Sequence, residues 1–271
     1  MPELPEVETT KRGISPHILR QTVSAVRIRQ KNLRWPVPDE LAKEVTNTTI
    51  ESIRRRGKYL LLESTAGTVI LHLGMSGSLR VVPADTVPGK HDHIDFVFGE
   101  ACLRLRDPRR FGAVLWTRDD VLSHPLLAPL GPEPLSPEFN GAWLYGMSRG
   151  RKIAVKAFIM DSRSVVGVGN IYANEALFLA GIRPGRPAGR ISAERYATLA
   201  NCICSVLEDA IHQGGTTLRD FVNEAGRPGY FQQTLNVYGR EGAHCPHCGT
   251  RIRSLRLGQR SSFFCPSCQR S

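Results

Sequence analysis

Four cysteines near the C-terminus, Cys245, Cys248, Cys265 and Cys268, constrain this chain more than any other feature. Their spacing is C-x2-C-x16-C-x2-C, the pattern of a four-thiolate zinc ribbon. Two C-x-x-C turns set four sulfurs tetrahedrally round one Zn²⁺ and leave no coordination position open, so the expected cofactor is one structural zinc. His244 and His247 are not expected to be ligands. Between the knuckles stand Arg251, Arg253, Arg256 and Arg260, and no acidic residue follows Glu241. The zinc then braces a basic β-hairpin that can lie along a phosphate backbone, the alternative being a solvated charged face. Cys102, Cys202 and Cys204 bring the total to seven, and an odd count without an export signal argues for reduced thiols.

The net charge of +11 points the same way, toward a polyanionic partner. The longest apolar runs, such as Val69–Leu73, are far too short to span a bilayer, so no membrane partner is expected. The opening MPELPEVE is acidic and unlike a secretory signal, which implies a cytoplasmic address. Gly167-Val-Gly169 lacks the third glycine of a dinucleotide fingerprint, and no nucleotide cofactor is expected. His91-Asp-His93 sends its imidazoles to opposite faces of an extended run, which argues against a second metal.

Texture divides the chain. Residues 2–14 read as a helix with Glu3, Glu6 and Glu8 at its start, Leu4, Val7 and Ile14 facing inward, and Gly13 then Pro16 as stops. From about 22 to 118 come short β-rich runs: Thr22–Arg29, Tyr59–Glu63, Val69–Leu73, Ile94–Phe98, Cys102–Arg106 and Ala113–Thr117. Turn residues between them predict an antiparallel sandwich or barrel. Five prolines in Pro125–Pro137 mark a linker. Trp143–Asp161, Asn170–Ala180 and Ala193–Gln213 read as helices, and a Cys-rich module closes the chain. The expected domains are 1–124, a linker 125–138, a helical domain 139–235 and a zinc finger 236–271.

Two further sites carry chemistry. A penultimate proline permits removal of Met1, which exposes a secondary amine at Pro2. A terminal amine has a pKa of roughly 7.7–8.0, so about a tenth is neutral and nucleophilic near neutral pH. Attack on a sugar C1′ yields an iminium, an electron sink that eases elimination of the neighbouring phosphates. Glu3 can deliver a proton to the ring oxygen. Equally, Pro2 can simply open a helix. Asn170, after Gly167 and Gly169, opens a helix whose free N–H groups suit a phosphate, or is a plain N-cap.

MPELPEVE, HLGMSGSLR at 72–80, DPRRFG at 107–112, VGVGNIYANEALF at 166–178 and the cysteine-rich end, taken in order, resemble the bacterial formamidopyrimidine-DNA glycosylase family. The likeness runs from Pro2 to Gln269. It implies an α+β multidomain fold: an N-terminal antiparallel β-sandwich with an N-terminal helix, a helix–two-turn–helix domain and a zinc-ribbon hairpin. It implies excision of oxidised purines from double-stranded DNA in base excision repair by a monomer, followed by strand cleavage through β,δ-elimination. By the same resemblance Pro2 is the Schiff-base nucleophile, Glu3 the acid, Lys58 acts in β-elimination and Arg260 in δ-elimination. Lys58 and Arg260 can equally serve as plain phosphate contacts. Met75, Arg109 and Phe111 are assigned to filling the gap left by a flipped base, a gap that costs a few kcal/mol to open. His91, Arg151 and Lys156 are carried over as DNA contacts, and Gly214–Tyr230 as the loop over the damaged base. Two alternatives stay open: an endonuclease VIII-like enzyme for oxidised pyrimidines, and a non-catalytic zinc-ribbon DNA binder.

Overall fold

The computed structural model describes residues 2–214 and 235–270. They form two compact units, and the chain passes from one to the other between Ala128 and Pro129.

The first unit begins with helix α1 (Leu4–Ile18). The helix runs through Gly13 and Pro16, which were expected to stop it. Pro16 forfeits one backbone hydrogen bond, but Ile14 and Ile18 are fully buried, and that burial offsets the loss. Strand β1 (Ala25–Ile28) and short helix α2 (Leu41–Val45) follow, then β2 (Ser52–Arg56), β3 (Tyr59–Ser64), β4 (Gly67–His72), β5 (Ser78–Pro83), β6 (Asp92–Phe98), β7 (Ala101–Arg106) and β8 (Ala113–Thr117). They make two four-stranded antiparallel sheets, ordered β1-β6-β7-β5 and β2-β3-β4-β8. Leu60, Leu62, Val69 and Leu71 of one sheet share a core with Leu79, Ile94, Phe96 and Leu103 of the other, closed by Val7, Ile14 and Ile18 of α1. The expected sandwich is therefore present. Strand β2 is not among the expected runs. Two of its three arginines are ion-paired: Arg54 with Glu63 on β3, and Arg55 with Glu8 on α1.

One buried ion pair sits inside the first sheet. Asp95 on β6 lies opposite Arg104 on β7 and accepts from its Nε at 2.9 Å and Nη2 at 3.0 Å, while Arg29 donates to the same carboxylate. Burial alone would raise the Asp95 carboxyl, but Arg29 and Arg104 hold it below its ordinary value. Asp95 is wholly buried and Arg104 nearly so. Asp95→Ala would strand a buried guanidinium and is expected to cost about 3–5 kcal/mol in urea unfolding; a loss below about 1 kcal/mol would refute the account.

The second unit holds α3 (Gly141–Ser148), α4 (Val155–Ile159), α5 (Asn170–Leu179), α6 (Ala193–His212) and the hairpin β9 (Arg253–Leu257) and β10 (Arg260–Phe264). The single helix expected over 143–161 is two helices, broken where Gly150 turns left-handed at φ +72°. Helix α3 crosses α6 so closely that a Cβ on Gly141 would lie 2.4 Å from the Cα of Ala197. Asn140 and Ser192 cap α3 and α6 by accepting from Trp143 N–H and Arg195 N–H. No helix among the described residues is long and apolar enough to cross a membrane.

Candidate active site

In the first unit Pro2 and Glu3 are buried at the positive end of α1, and the Glu3 N–H donates to Glu6 Oε2 at 2.8 Å. Glu8, one turn on, pins the helix to the sheet. It accepts from Lys11, from Arg12 Nε at 3.0 Å and from Arg55 Nε on β2 at 3.1 Å. Burial would raise its carboxyl, and these three cations together hold it below the usual range. Arg55 also donates to Gly57 O at 3.0 Å, which braces the two-residue turn Gly57–Lys58. The strand that leads into Lys58 is thus ion-paired to the helix that carries Pro2 and Glu3.

His72 ends β4 opposite Tyr59, their rings 4.8 Å apart. Its Nδ1 accepts from Gly74 N–H at 3.0 Å, so the imidazole there is neutral and its proton sits on Nε2. Burial, then the nearby charges of Lys58 and Arg34, push its pKa down to about 4 from 6.5. The unfolded chain takes up this proton first, so His72's contribution to stability is complete above about 6.5 and declines as pH falls toward 4. His72→Gln keeps an acceptor but does not titrate. It should shrink the fall in Tm between about pH 7 and about pH 5, and an unchanged fall would exclude His72 as its source.

The segment after His72 carries Met75, and 107–112 carries Arg109 and Phe111. Met75 is 39% and Phe111 49% exposed, so neither is a core residue. Arg109 Nη1 lies 3.6 Å from Met75 Sδ, so the structure brings these two together. A buried carboxylate that sequence reasoning missed organises both loops. Asp107 Oδ1 accepts from Ser76 Oγ at 2.9 Å and Arg109 N–H at 3.3 Å, and its Oδ2 from Gly112 N–H at 2.7 Å. Its carbonyl meets His93 Nε2 at 2.8 Å, and its N–H donates to His91 O at 3.0 Å, which sets His91 beside the same loop. Gly74, at φ +61°, lets the Met75 loop touch the Phe111 backbone: a Cβ there would sit 2.3 Å from Phe111 C. The available signal was Asp directly before Pro, where an Asx side chain commonly accepts from the following backbone.

In the second unit, four sulfurs lie within 4.8 Å of one another. A zinc holding thiolates at about 2.3 Å spaces them about 3.8 Å apart. Cys248–Cys268, Cys248–Cys265 and Cys245–Cys268 are 3.4, 3.5 and 3.8 Å apart, so the donor set fits that ion. A hydrogen bond with Thr250 brings the Cys248 thiol down to about 6, whereas burial pushes Cys265 and Cys268 up. A divalent cation lets all four ionise together. His244 instead bonds Gly249 O, and the His247 ring packs at a tilt against Phe178, centroids 4.7 Å apart.

The finger is locked to the helices by buried polar groups. Glu175 on α5 accepts from Asn236 N–H and Nδ2, Val237 N–H and Tyr238 N–H at 2.8–3.0 Å. Asn174 Oδ1 accepts from Phe263 N–H at 2.7 Å, and Gln269 Nε2 donates to Ile182 O at 2.9 Å. Lys156 is 2% exposed and donates to Ser261 O at 2.8 Å and Ser262 Oγ at 2.7 Å, so it holds the hairpin beside Arg260. Lys156 and Arg260 line one cavity of about 490 Å³. Arg260 and Arg151 are exposed. Asn170 is the first residue of α5, with Gly169 and not Asn170 as its N-cap, and its Oδ1 is buried without a partner among the described residues. Of the expected loop Gly214–Tyr230, all but Gly214 lies outside the described residues.

Three family profiles cover most of the chain. The formamidopyrimidine-DNA glycosylase N-terminal domain matches 1–114, the H2TH domain of the same enzymes 130–222, and a zinc finger found in FPG and IleRS 244–270. The chain belongs to the formamidopyrimidine-DNA glycosylase family. Formamidopyrimidine-DNA glycosylases of Methylococcus capsulatus and Syntrophotalea carbinolica are each 60% identical over 271 residues, with full coverage of both chains. The MutM (Fpg) crystal structure from Thermus thermophilus superposes with a TM-score of 0.89 at 37% identity, covering 99% of this chain and 98% of its own. A Lactococcus lactis FPG mutant, solved with Fapy-dG-containing DNA, gives 0.92 at 33% identity with full coverage of both. For this family member, the sandwich, helical region and zinc hairpin read from sequence are thereby accounted for.

Proposed function

We propose that the chain is a bifunctional DNA glycosylase and AP lyase of base excision repair, acting as a cytoplasmic monomer on duplex DNA that carries oxidised purines. The observation that carries the reading is one unit holding a buried Pro2–Glu3 terminus and, over Asp107, the exposed trio Met75, Arg109 and Phe111. Relatives solved with Fapy-dG-containing and abasic-site-containing DNA support it.

The residues fit the steps. Met75 and Phe111 fill the stack vacated by the flipped base, and Arg109 hydrogen-bonds its orphaned partner. The Pro2 nitrogen bonds to C1′ as the base leaves with its bonding electrons and a proton, and Glu3 protonates the ring oxygen. The iminium acidifies the neighbouring C2′ hydrogen, and its removal expels the 3′ phosphate. A second elimination expels the 5′ phosphate. Lys58 acts in the first and Arg260 in the second, while His91, Arg151 and Asn170 take phosphates. Lys156 acts through the hairpin that it holds.

Borohydride reduction during reaction with an 8-oxoguanine duplex should trap a covalent adduct, and excision should favour 8-oxoguanine over oxidised pyrimidines. Binding without an adduct would leave a zinc-ribbon DNA binder. Preference for oxidised pyrimidines would move the enzyme to the endonuclease VIII type.

A further inference from the structure

Away from the groups used above, the second unit holds a pocket of about 530 Å³ lined by Arg183, Gly185, Arg186, Pro187, Arg190 and Leu255. Three arginines line it, and among the described residues no carboxylate pairs with any of them. They are not loose. Arg183 Cζ lies 5.0 Å from the centroid of the Phe264 ring of the zinc hairpin, a cation–π contact that tethers this side chain to the hairpin. Arg186 Nη2 is steered by the Arg190 carbonyl at 3.1 Å. Behind them Arg195 donates to Gly181 O at 2.8 Å, and burial and then the charge of Arg186 lower its pKa. Like charges gathered without a counter-ion repel one another, and a bound anion removes that cost. Guanidinium forks match phosphate oxygens two at a time, and Leu255 with Pro187 offers an apolar wall for a sugar face.

We propose that this pocket is a second phosphate-binding site, which takes the backbone of duplex DNA flanking the lesion and so lengthens the footprint beyond Arg151. Continuity with that face is direct. Gly189 N–H donates to Arg151 O at 2.9 Å, and Ala154 bridges to Pro187, so the segment that carries the three arginines runs alongside Arg151. Leu255 also places the pocket on the β-hairpin that presents Arg260. The inference rests on the DNA-repair reading above for its ligand, but its test does not require catalysis.

The test compares wild type with an R183S/R186S/R190S triple variant on undamaged duplexes of about one and about three helical turns (~10 and ~30 bp). Wild type should gain affinity on the longer duplex. The triple variant should lose about tenfold or more of that affinity, and its slope of log K against log salt should fall by about 2–3. Borohydride trapping on a short lesion duplex should be unchanged. An R186S/R190S double variant, which keeps Arg183 on Phe264 and should retain one zinc per chain, guards against damage to the finger and should show most of the loss. Equal long-duplex affinity and salt slope in wild type and variants would overturn the proposal. So would tripolyphosphate binding that the triple variant abolishes without any dependence on duplex length, since the pocket would then serve free oligophosphates. If wild type shows the length dependence but forms no adduct with lesion DNA, the catalytic reading fails and the pocket stands.

Discussion

A chain that keeps Met1 behind an uncleaved N-terminal extension is expected to form no borohydride-trapped adduct with 8-oxoguanine DNA, and the same chain cut back to Pro2 to form it in full. While Met1 is attached, the Pro2 nitrogen belongs to a tertiary amide whose lone pair is delocalised into the carbonyl. It is neither basic nor nucleophilic. Freed, it is a secondary amine about a tenth neutral near pH 7, and its iminium has no N–H to lose. The loss should be at least about 10³-fold in strand cleavage, since no neighbouring group replaces a missing covalent nucleophile. Pro2→Gly keeps a terminal amine but not the secondary one, and it should also lose most trapping. Duplex affinity should change far less than cleavage in both, because phosphate contacts come from other elements. Intact mass and trapping on one sample decide the matter: an adduct at wild-type yield in material that retains Met1 would remove Pro2 from the mechanism.

The second large effect comes from the metal. Cys265→Ser, or strong chelation of the wild type, should release one zinc per chain and unfold the finger. Apparent binding energies of about 10–16 kcal/mol for structural zinc exceed anything so short a hairpin can supply by packing. The hydrophobic core it offers is small: Val237, Cys245, Ile252 and Cys265 against Phe178. Its loss would also leave Glu175 without its four backbone and amide donors and Lys156 without Ser261 and Ser262, so the damage extends into the helical region. Duplex affinity should fall by about 10²-fold or more, the scale of several lost phosphate contacts. The two sheets of the first unit draw on a separate core and should keep their β-type circular dichroism. A zinc-free variant that binds DNA like wild type would show that the hairpin is no part of the grip.

Some of this architecture was open to inspection residue by residue. Strands β3, β4, β6, β7 and β8 were legible because their side chains are apolar enough to require burial. Strand β2 was not, since two of the arginines in Ser-Ile-Arg-Arg-Arg are paired only by Glu63, across a turn, and Glu8, remote in sequence. Helix α1 was cut short for the converse reason: Gly13 and Pro16 are local stop signals, and the burial of Ile18 that overrides them is a long-range fact. Met75, Arg109 and Phe111 were singled out through the resemblance of their motifs, but Asp107, which orders their loops, was not. Lys156 was read as a DNA contact, and nothing in Ala-Val-Lys-Ala announces an ammonium buried against Ser261.

The amino-acid order alone determined the features whose physics is local or stoichiometric. Four thiols at ribbon spacing require a metal, a proline behind Met1 supplies a secondary amine, and an excess of arginine selects a polyanion. Only the tertiary structure decided which charges are neutralised and which remain available, because that depends on partners far apart in sequence: Arg104 is matched by Asp95, while Arg183, Arg186 and Arg190 meet no described carboxylate. Burial and pairing are properties of the folded whole, and so is the division of this chain's cations between holding the molecule together and holding its ligand.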